Sequence, residues 1–148
     1  MRLSAKGRYA LAATTSMAQN HDKNEYITLI SISDRLGISK IYLEQIFSLL
    51  KHGGIVNSIK GSQGGYQLTK SPQQITVYDI LASIETSLFE AAEKSVTEKA
   101  PDIEAAMGNL IYAPLDSSVM ETLQKITLYD LVIEAEKHSE HQGLMFFI

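Results

Sequence analysis

The 148-residue chain contains no cysteine. That excludes disulfides, thiol nucleophiles and thiolate-held zinc or iron–sulfur clusters, so no cofactor of that kind is expected. No stretch approaches the run of about eighteen apolar residues that a membrane-crossing helix needs. The first residues also lack the apolar core of a signal peptide. These absences predict a cytoplasmic protein with no membrane contact. No Ser/His/Asp elbow or paired-carboxylate motif stands out, so an enzyme is not expected. The four histidines are scattered, and His138 and His141, three apart among acids, lack a third ligand fixed by sequence. Solvated residues account for them better than a metal site.

What is present is unevenly placed. The length fits one domain or two small ones, and the formal net charge is −4. Residues 1–72 hold nine Lys/Arg against four Asp/Glu, a formal +5, whereas residues 73–148 hold four lysines against thirteen acids, a formal −9. A basic front and an acidic rear fit a nucleic-acid-binding part joined to a solvated, partner-facing part.

The basic part is organised around residues 38–68. Ser39 is a candidate N-cap, and Ile41, Ile46, Leu49 and Leu50, with Leu43 or Phe47 at the flank, recur near the helical period. Lys40, Tyr42, Gln45, Ser48 and Lys51 are left off that stripe. Gly53-Gly54 stops the helix. Residues 55–59 and 66–69 read as strands around a glycine-rich tip, Gly61-Ser62-Gln63-Gly64-Gly65. Upstream, residues 27–36 predict a helix starting near Leu29, with Ile30, Ile32 and Leu36 facing inward. Gly37 and Ser39 then leave a two-residue turn, the spacing of a helix-turn-helix. Residues 4–20 predict a first helix capped by Ser4. The fold expected is mainly α with a small β-hairpin wing: a winged helix-turn-helix over 1–72, then a linker helix, an effector region, a long dimerisation helix and a tail over 73–148.

Side-chain chemistry assigns roles on double-stranded DNA. Gln45 can pair bidentately with an adenine edge, and Ser39 and Ser48 suit phosphate or base. Tyr42 offers a hydroxyl to phosphate and a ring to a thymine methyl. Lys40 and Lys51 are phosphate binders. Lys6 and Arg8 sit in the first turn of a helix, where acids are preferred. That conflict is explained by a phosphate at the helix N-terminus, or more plainly by two solvated bases. Glu44 either meets a cytosine amino group or steadies the helix by pairing with Lys40 or Lys51. At the tip, Lys60, Gly61, Gln63 and Gly64 are candidate contacts, and Gly61, Gly64 and Gly65 allow close approach to the sugar–phosphate chain. A phosphate-cradling nucleotide loop fits poorly, since neither Gly-Lys-Ser/Thr nor a helix follows.

In the rear part, Thr76 caps a helix through Val77, Ile80, Leu81 and Ile84, and residues 88–100 are acidic and irregular in pattern, a loop with some helix. Residues 102–126 form a long helical segment with a kink or restart expected at Pro114. Its apolar residues, among them Leu115, Val119, Met120, Leu123 and Ile126, repeat at helical spacing. They suit a core or dimer seam, or the lining of a ligand cavity. Thr127 then opens a short helix, and the sequence ends in the apolar run Gly143-Leu144-Met145-Phe146-Phe147-Ile148.

Four stretches in order, MRLSAKGRYALAA, YLEQIFSLLKHGG, IKGSQGGYQL and KITLYDL, resemble one bacterial family. It comprises the winged-helix regulators that include the iron–sulfur sensor IscR, the nitric-oxide sensor NsrR and the cysteine-metabolism repressor CymR. The resemblance spans most of the chain and is weakest over 88–110. It implies a homodimeric transcription repressor on pseudo-palindromic promoter sites, with residues 102–126 as the dimerisation helix. It also implies that Glu44 helps discriminate between site classes. Lys60 stands where the family usually carries arginine at the minor groove, which keeps the charge and loses the planar fork. The family's cluster-binding members carry three cysteine ligands that this chain lacks. In character it is nearest the cysteine-free, CymR-like repressors, which end in a similar aromatic–isoleucine tail and pair with cysteine synthase. That likeness implies that Phe147 and Ile148 engage cysteine synthase; packing of the tail on the chain's own dimer is the plainer alternative. A small-molecule sensor of the same fold, and a protein-interaction module that never touches DNA, are the competing functions.

Overall fold

A computed structural model describes residues 3–20, 25–60 and 64–146, the last three as backbone only. The architecture is mainly α-helical with one two-stranded antiparallel hairpin. Helix α1 (Ala5–Gln19) starts at Ser4, whose hydroxyl accepts from the Gly7 N–H at 3.0 Å. Helix α2 (Leu29–Leu36) starts at Thr28 and ends at Gly37, whose φ of 69° is left-handed. Helix α3 (Lys40–His52) starts at Ser39, which accepts from Tyr42 N–H at 3.2 Å. Each cap satisfies an N–H that the first helical turn leaves without a partner.

The three helices bury one apolar face each. Leu43, Ile46, Phe47 and Leu50 of α3 join Ala10, Ala13 and Met17 of α1 and Ile32 of α2 in one cluster, closed by Ile55, Val56, Ile75, Ile80 and Leu128. The Leu, Ile, Val, Phe and Met side chains among these each stabilise the fold by about 1.5–3 kcal/mol when fully buried. Two residues expected in this core are outside it. Ile30 is 57% exposed and Ile41 is 72% exposed. At 3.6 residues per turn, Ile41 lies roughly 170° around α3 from the middle of the buried face, so a position two before Leu43 cannot share its side.

After α3 the chain turns through Gly53 and Gly54, each glycine for its own reason. Gly54 adopts φ 78°, the left-handed region. Gly53 is right-handed, but a β-carbon there would lie 2.0 Å from Ser83 Oγ. Strands β1 (Val56–Ile59) and β2 (Gly65–Leu68) then pair with Val56 opposite Leu68 and Ile59 opposite Gly65. The hairpin is tied to the segment before α2 by two 2.8 Å hydrogen bonds between Ile27 and Tyr66.

Helix α4 (Val77–Ile84) begins with a reciprocal cap. Asp79 N–H donates to Thr76 Oγ1 at 3.1 Å, and Thr76 N–H donates to the Asp79 carboxylate at 3.0 Å. It packs on α1 and α3. A short 3₁₀ turn, Thr86–Phe89, leads into an exposed stretch, and α5 (Pro101–Met107) and α6 (Ala113–Lys125) follow. The kink or restart expected at Pro114 takes the form of a widened π-turn, Gly108–Tyr112, just before it. Proline cannot donate to the carbonyl one turn back, and the wider turn lets the helix continue with Ala113 N–H bonded to Gly108 O. Helix α7 (Leu128–Phe146) is nineteen residues long rather than short. Thr127 and Asp130 cap its start reciprocally, and bonds from Val77 N–H to Ile126 O (2.8 Å) and from Leu128 N–H to Ile75 O (2.9 Å) clip it to α4.

Candidate nucleic-acid interface

Helix α3 presents an outward face because its inward face is fully used. Opposite Leu43, Ile46, Phe47 and Leu50 stand Ile41, Gln45 and Ser48, all exposed, with His52 at the end of the row. Lys40, Glu44 and Lys51 flank that row on one side. Lys40 Nζ is 3.9 Å from Glu44 Oε1, an exposed pair one turn apart that stabilises by only about 0.3–0.5 kcal/mol. On the other flank Tyr42 is half-buried, its ring edge-on to Tyr9 with centroids 5.4 Å apart. The Ser39 hydroxyl accepts the Tyr42 N–H, and its own hydrogen can still be donated outward.

Between α3 and the hairpin lies an open concavity of about 470 Å³. Lys40, Lys51 and Lys60 line it together with Thr28, Ser58 and Gly64. Three cations from two ends of a helix and the tip of a hairpin thus border one hollow. Like charges brought together without a matching set of acids favour an anionic partner of extended shape. Gly61 and Gln63 lie outside the described residues. Gly65 is present for an internal reason rather than for close approach to a sugar–phosphate chain. It is buried, and a β-carbon there would sit 2.9 Å from the Ile27 carbonyl oxygen.

The start of α1 is partly occupied by the chain itself. The Glu85 carboxylate, at the end of α4, accepts the Ser4 N–H and fills the space over Gly7. The anion at this helix N-terminus is therefore an internal carboxylate. Lys6 and Arg8 remain exposed, and Arg8 Nη1 donates to Leu3 O at 2.7 Å.

The remaining candidates fall on the rear helices. Leu115 and Met120 are exposed, whereas Val119, Leu123 and Ile126 are half-buried. Ile103, Leu110 and Ile111 extend the exposed apolar row, and Leu110 is 79% exposed. A separate, strongly apolar groove of about 530 Å³ is lined by Leu11, Ala12, Leu36, Val77, Ile126 and Leu131, among others. Phe147 and Ile148 lie outside the described residues. His138 Nε2 is 3.3 Å from Glu134 Oε1 on an exposed stretch of α7. Sequence reasoning missed Ile30 and Tyr66, which line the lysine-bordered concavity, and Ile41 on the outward row. Counting turns from Leu43 rather than from Ile41 would have found the last of these.

Residues 3–134 match the family model of Rrf2, described as an iron-dependent transcriptional regulator. Over 136 residues the chain is 35% identical to the HTH-type transcriptional regulator IscR of Pectobacterium carotovorum subsp. carotovorum, spanning 92% of this chain and 82% of that protein. It is similar to the structure of CymR, the global cysteine regulator of B. subtilis, with a TM-score of 0.73 and 31% identity over 90% of this chain and 98% of that one. It is similar also to T. potens IscR, with a TM-score of 0.70 and 34% identity over 99% of this chain and 96% of that one. The donor set here does not fit a thiolate-held iron centre. The chain has no cysteine, and among the described residues no three His, Asp or Glu side chains converge.

Proposed function

Because the chain belongs to the Rrf2 family of transcriptional regulators, whose members are DNA-binding proteins and not enzymes, we propose that it is a homodimeric repressor reading pseudo-palindromic promoter sites. The observation that carries this reading is the concavity bordered by Lys40, Lys51 and Lys60, beside an exposed polar row on α3. In it α3 enters the major groove, with Gln45 and Ser48 on base edges and Glu44 restricting the accepted bases. Ser39, Tyr42, Lys40 and Lys51 engage phosphates, joined by Lys6 and Arg8 from α1. The hairpin tip, with Lys60, Gly61, Gln63 and Gly64, lies along the minor groove. Residues 1–72 carry this task and residues 73–148 the assembly and its control. A protein acting on chromosomal DNA works in the cytoplasm.

The exposed apolar row on α5 and α6 supports the dimer. Ile103, Leu110, Ile111 and Leu115 in water are a liability for a monomer, and Val119, Met120, Leu123 and Ile126 continue the row toward the core. A twofold dimer sets two recognition helices about 34 Å apart, one turn of duplex. Control of cysteine metabolism is supported by the likeness to a global cysteine regulator. In this reading Phe147 and Ile148 bind cysteine synthase, and the complex reports cysteine supply. The test is DNA affinity on cysteine-gene promoters, with and without cysteine synthase, across a salt series. Tight, salt-steep binding that the synthase alters, and that deletion of Phe147 and Ile148 makes indifferent to it, is expected. Tight binding indifferent to the synthase in the intact chain refutes the partner and leaves the regulator. A second reading, a small-molecule effector, is favoured by the apolar groove of about 530 Å³ between α1, α4 and α7.

A further inference from the structure

We propose that Ile41 is a specificity-determining residue that selects thymine, through its 5-methyl group, at one position in each half-site. The inference rests on the reading of α3 as the base-reading helix and deepens it. Ile41 is 72% exposed although it sits in the first turn of a well-packed helix. The core does not use it: Leu43, Ile46, Phe47 and Leu50 complete the buried face without it. A scattered exposed isoleucine needs no explanation, but this one occupies a particular place. It stands three, four and seven residues before Glu44, Gln45 and Ser48, and therefore heads their exposed row. The N-terminal residues of a recognition helix are those that reach base edges.

The chemistry of the side chain narrows what it can read. Isoleucine neither donates nor accepts a hydrogen bond, so it cannot pair with the polar groups of a base edge. Among the unmodified bases only thymine displays an apolar group in the major groove. A cytosine amino group or guanine oxygen beneath Ile41 would lose water and gain no partner, which adds discrimination against those bases. The β-branched side chain is held near one χ1 rotamer by the helix, so the apolar surface is presented without much further ordering. Lys40 and Glu44, held together at 3.9 Å, occupy the flank and leave Ile41 uncovered.

The test uses the purified full chain and an operator selected from randomised duplexes. Each thymine is replaced in turn by deoxyuridine, which deletes the 5-methyl and nothing else. Affinity is expected to fall roughly fourfold, the effect of one buried methyl, at one symmetry-related pair of positions. Ile41→Ala should bind with an unchanged salt slope, melt at the wild-type temperature and ignore deoxyuridine at that pair. Sequence-selective binding with no sensitive thymine, or a sensitivity that survives in Ile41→Ala, overturns the role of Ile41 while leaving the DNA reading intact. Absence of any sequence selection or salt dependence overturns both.

Discussion

Neutralising the lysines that border the concavity should flatten the salt dependence of DNA binding by an amount the geometry ranks. Removing one lysine–phosphate pair lowers the slope of log K against log salt by about 0.9, hence by about 1.8 for a dimer. Between about 50 and 200 mM salt, a difference of that size is roughly twelvefold in relative affinity. Lys51→Gln and Lys60→Gln should each show the full effect. Lys40→Gln should show a smaller effect, because Glu44 lies 3.9 Å from its ammonium and already offsets part of the charge. In a Glu44→Gln background, Lys40→Gln should recover the full effect, a non-additivity that a double-mutant cycle measures directly. The assay is fluorescence anisotropy on one duplex at five salt concentrations, with thermal melting as the folding control. All three side chains are exposed, so stability should stay within about 0.5 kcal/mol. If Lys51→Gln and Lys60→Gln weaken binding equally at every salt concentration, these lysines do not meet phosphates and the reasoning is wrong.

Other perturbations probe the scaffold. Gly53→Ala would put its β-carbon 2.0 Å from Ser83 Oγ and 2.6 Å from Ser83 Cβ, and should cost about 1–3 kcal/mol in urea denaturation. Made in a Ser83→Gly chain, the same change should cost almost nothing; an equal cost in both backgrounds would rule out the α3–α4 clash as its cause. Thr76→Ala removes the acceptor for Asp79 N–H at the head of α4 and should lower stability by about 1 kcal/mol, read as a drop in melting temperature. Leu110→Glu with Leu115→Glu leaves the monomer fold intact, since both side chains are exposed, but should give a monomer in sedimentation and lose affinity for paired half-sites. A variant that still sediments as a dimer would move the seam elsewhere.

The parts legible from sequence are those whose cause is local. Ser4, Ser39, Thr76 and Thr127 all cap helices as expected, because each cap joins a hydroxyl to an N–H three residues on. The hairpin followed from two apolar runs around a glycine-rich tip. Ile30 and Ile41 were misjudged because hydrophobicity alone does not say which side of a helix meets the core. Gly65 was given an outside partner, whereas its neighbour is the Ile27 carbonyl far back along the chain, an approach no local pattern announces. The length of α7 was underestimated because its exposed, charged turns have little amphipathic contrast.

The order of elements, the caps, the basic front half and the exclusion of thiolate chemistry are properties of the sequence by itself, since each depends on neighbours along the chain or on composition. Tertiary structure alone brought Lys60 to the hollow that Lys40 and Lys51 border, and put Glu85 at the start of α1. Those arrangements depend on how α1, α3, α4 and the hairpin pack around one shared core. Packing is decided by shape and burial across distant stretches, not by the period of any one of them.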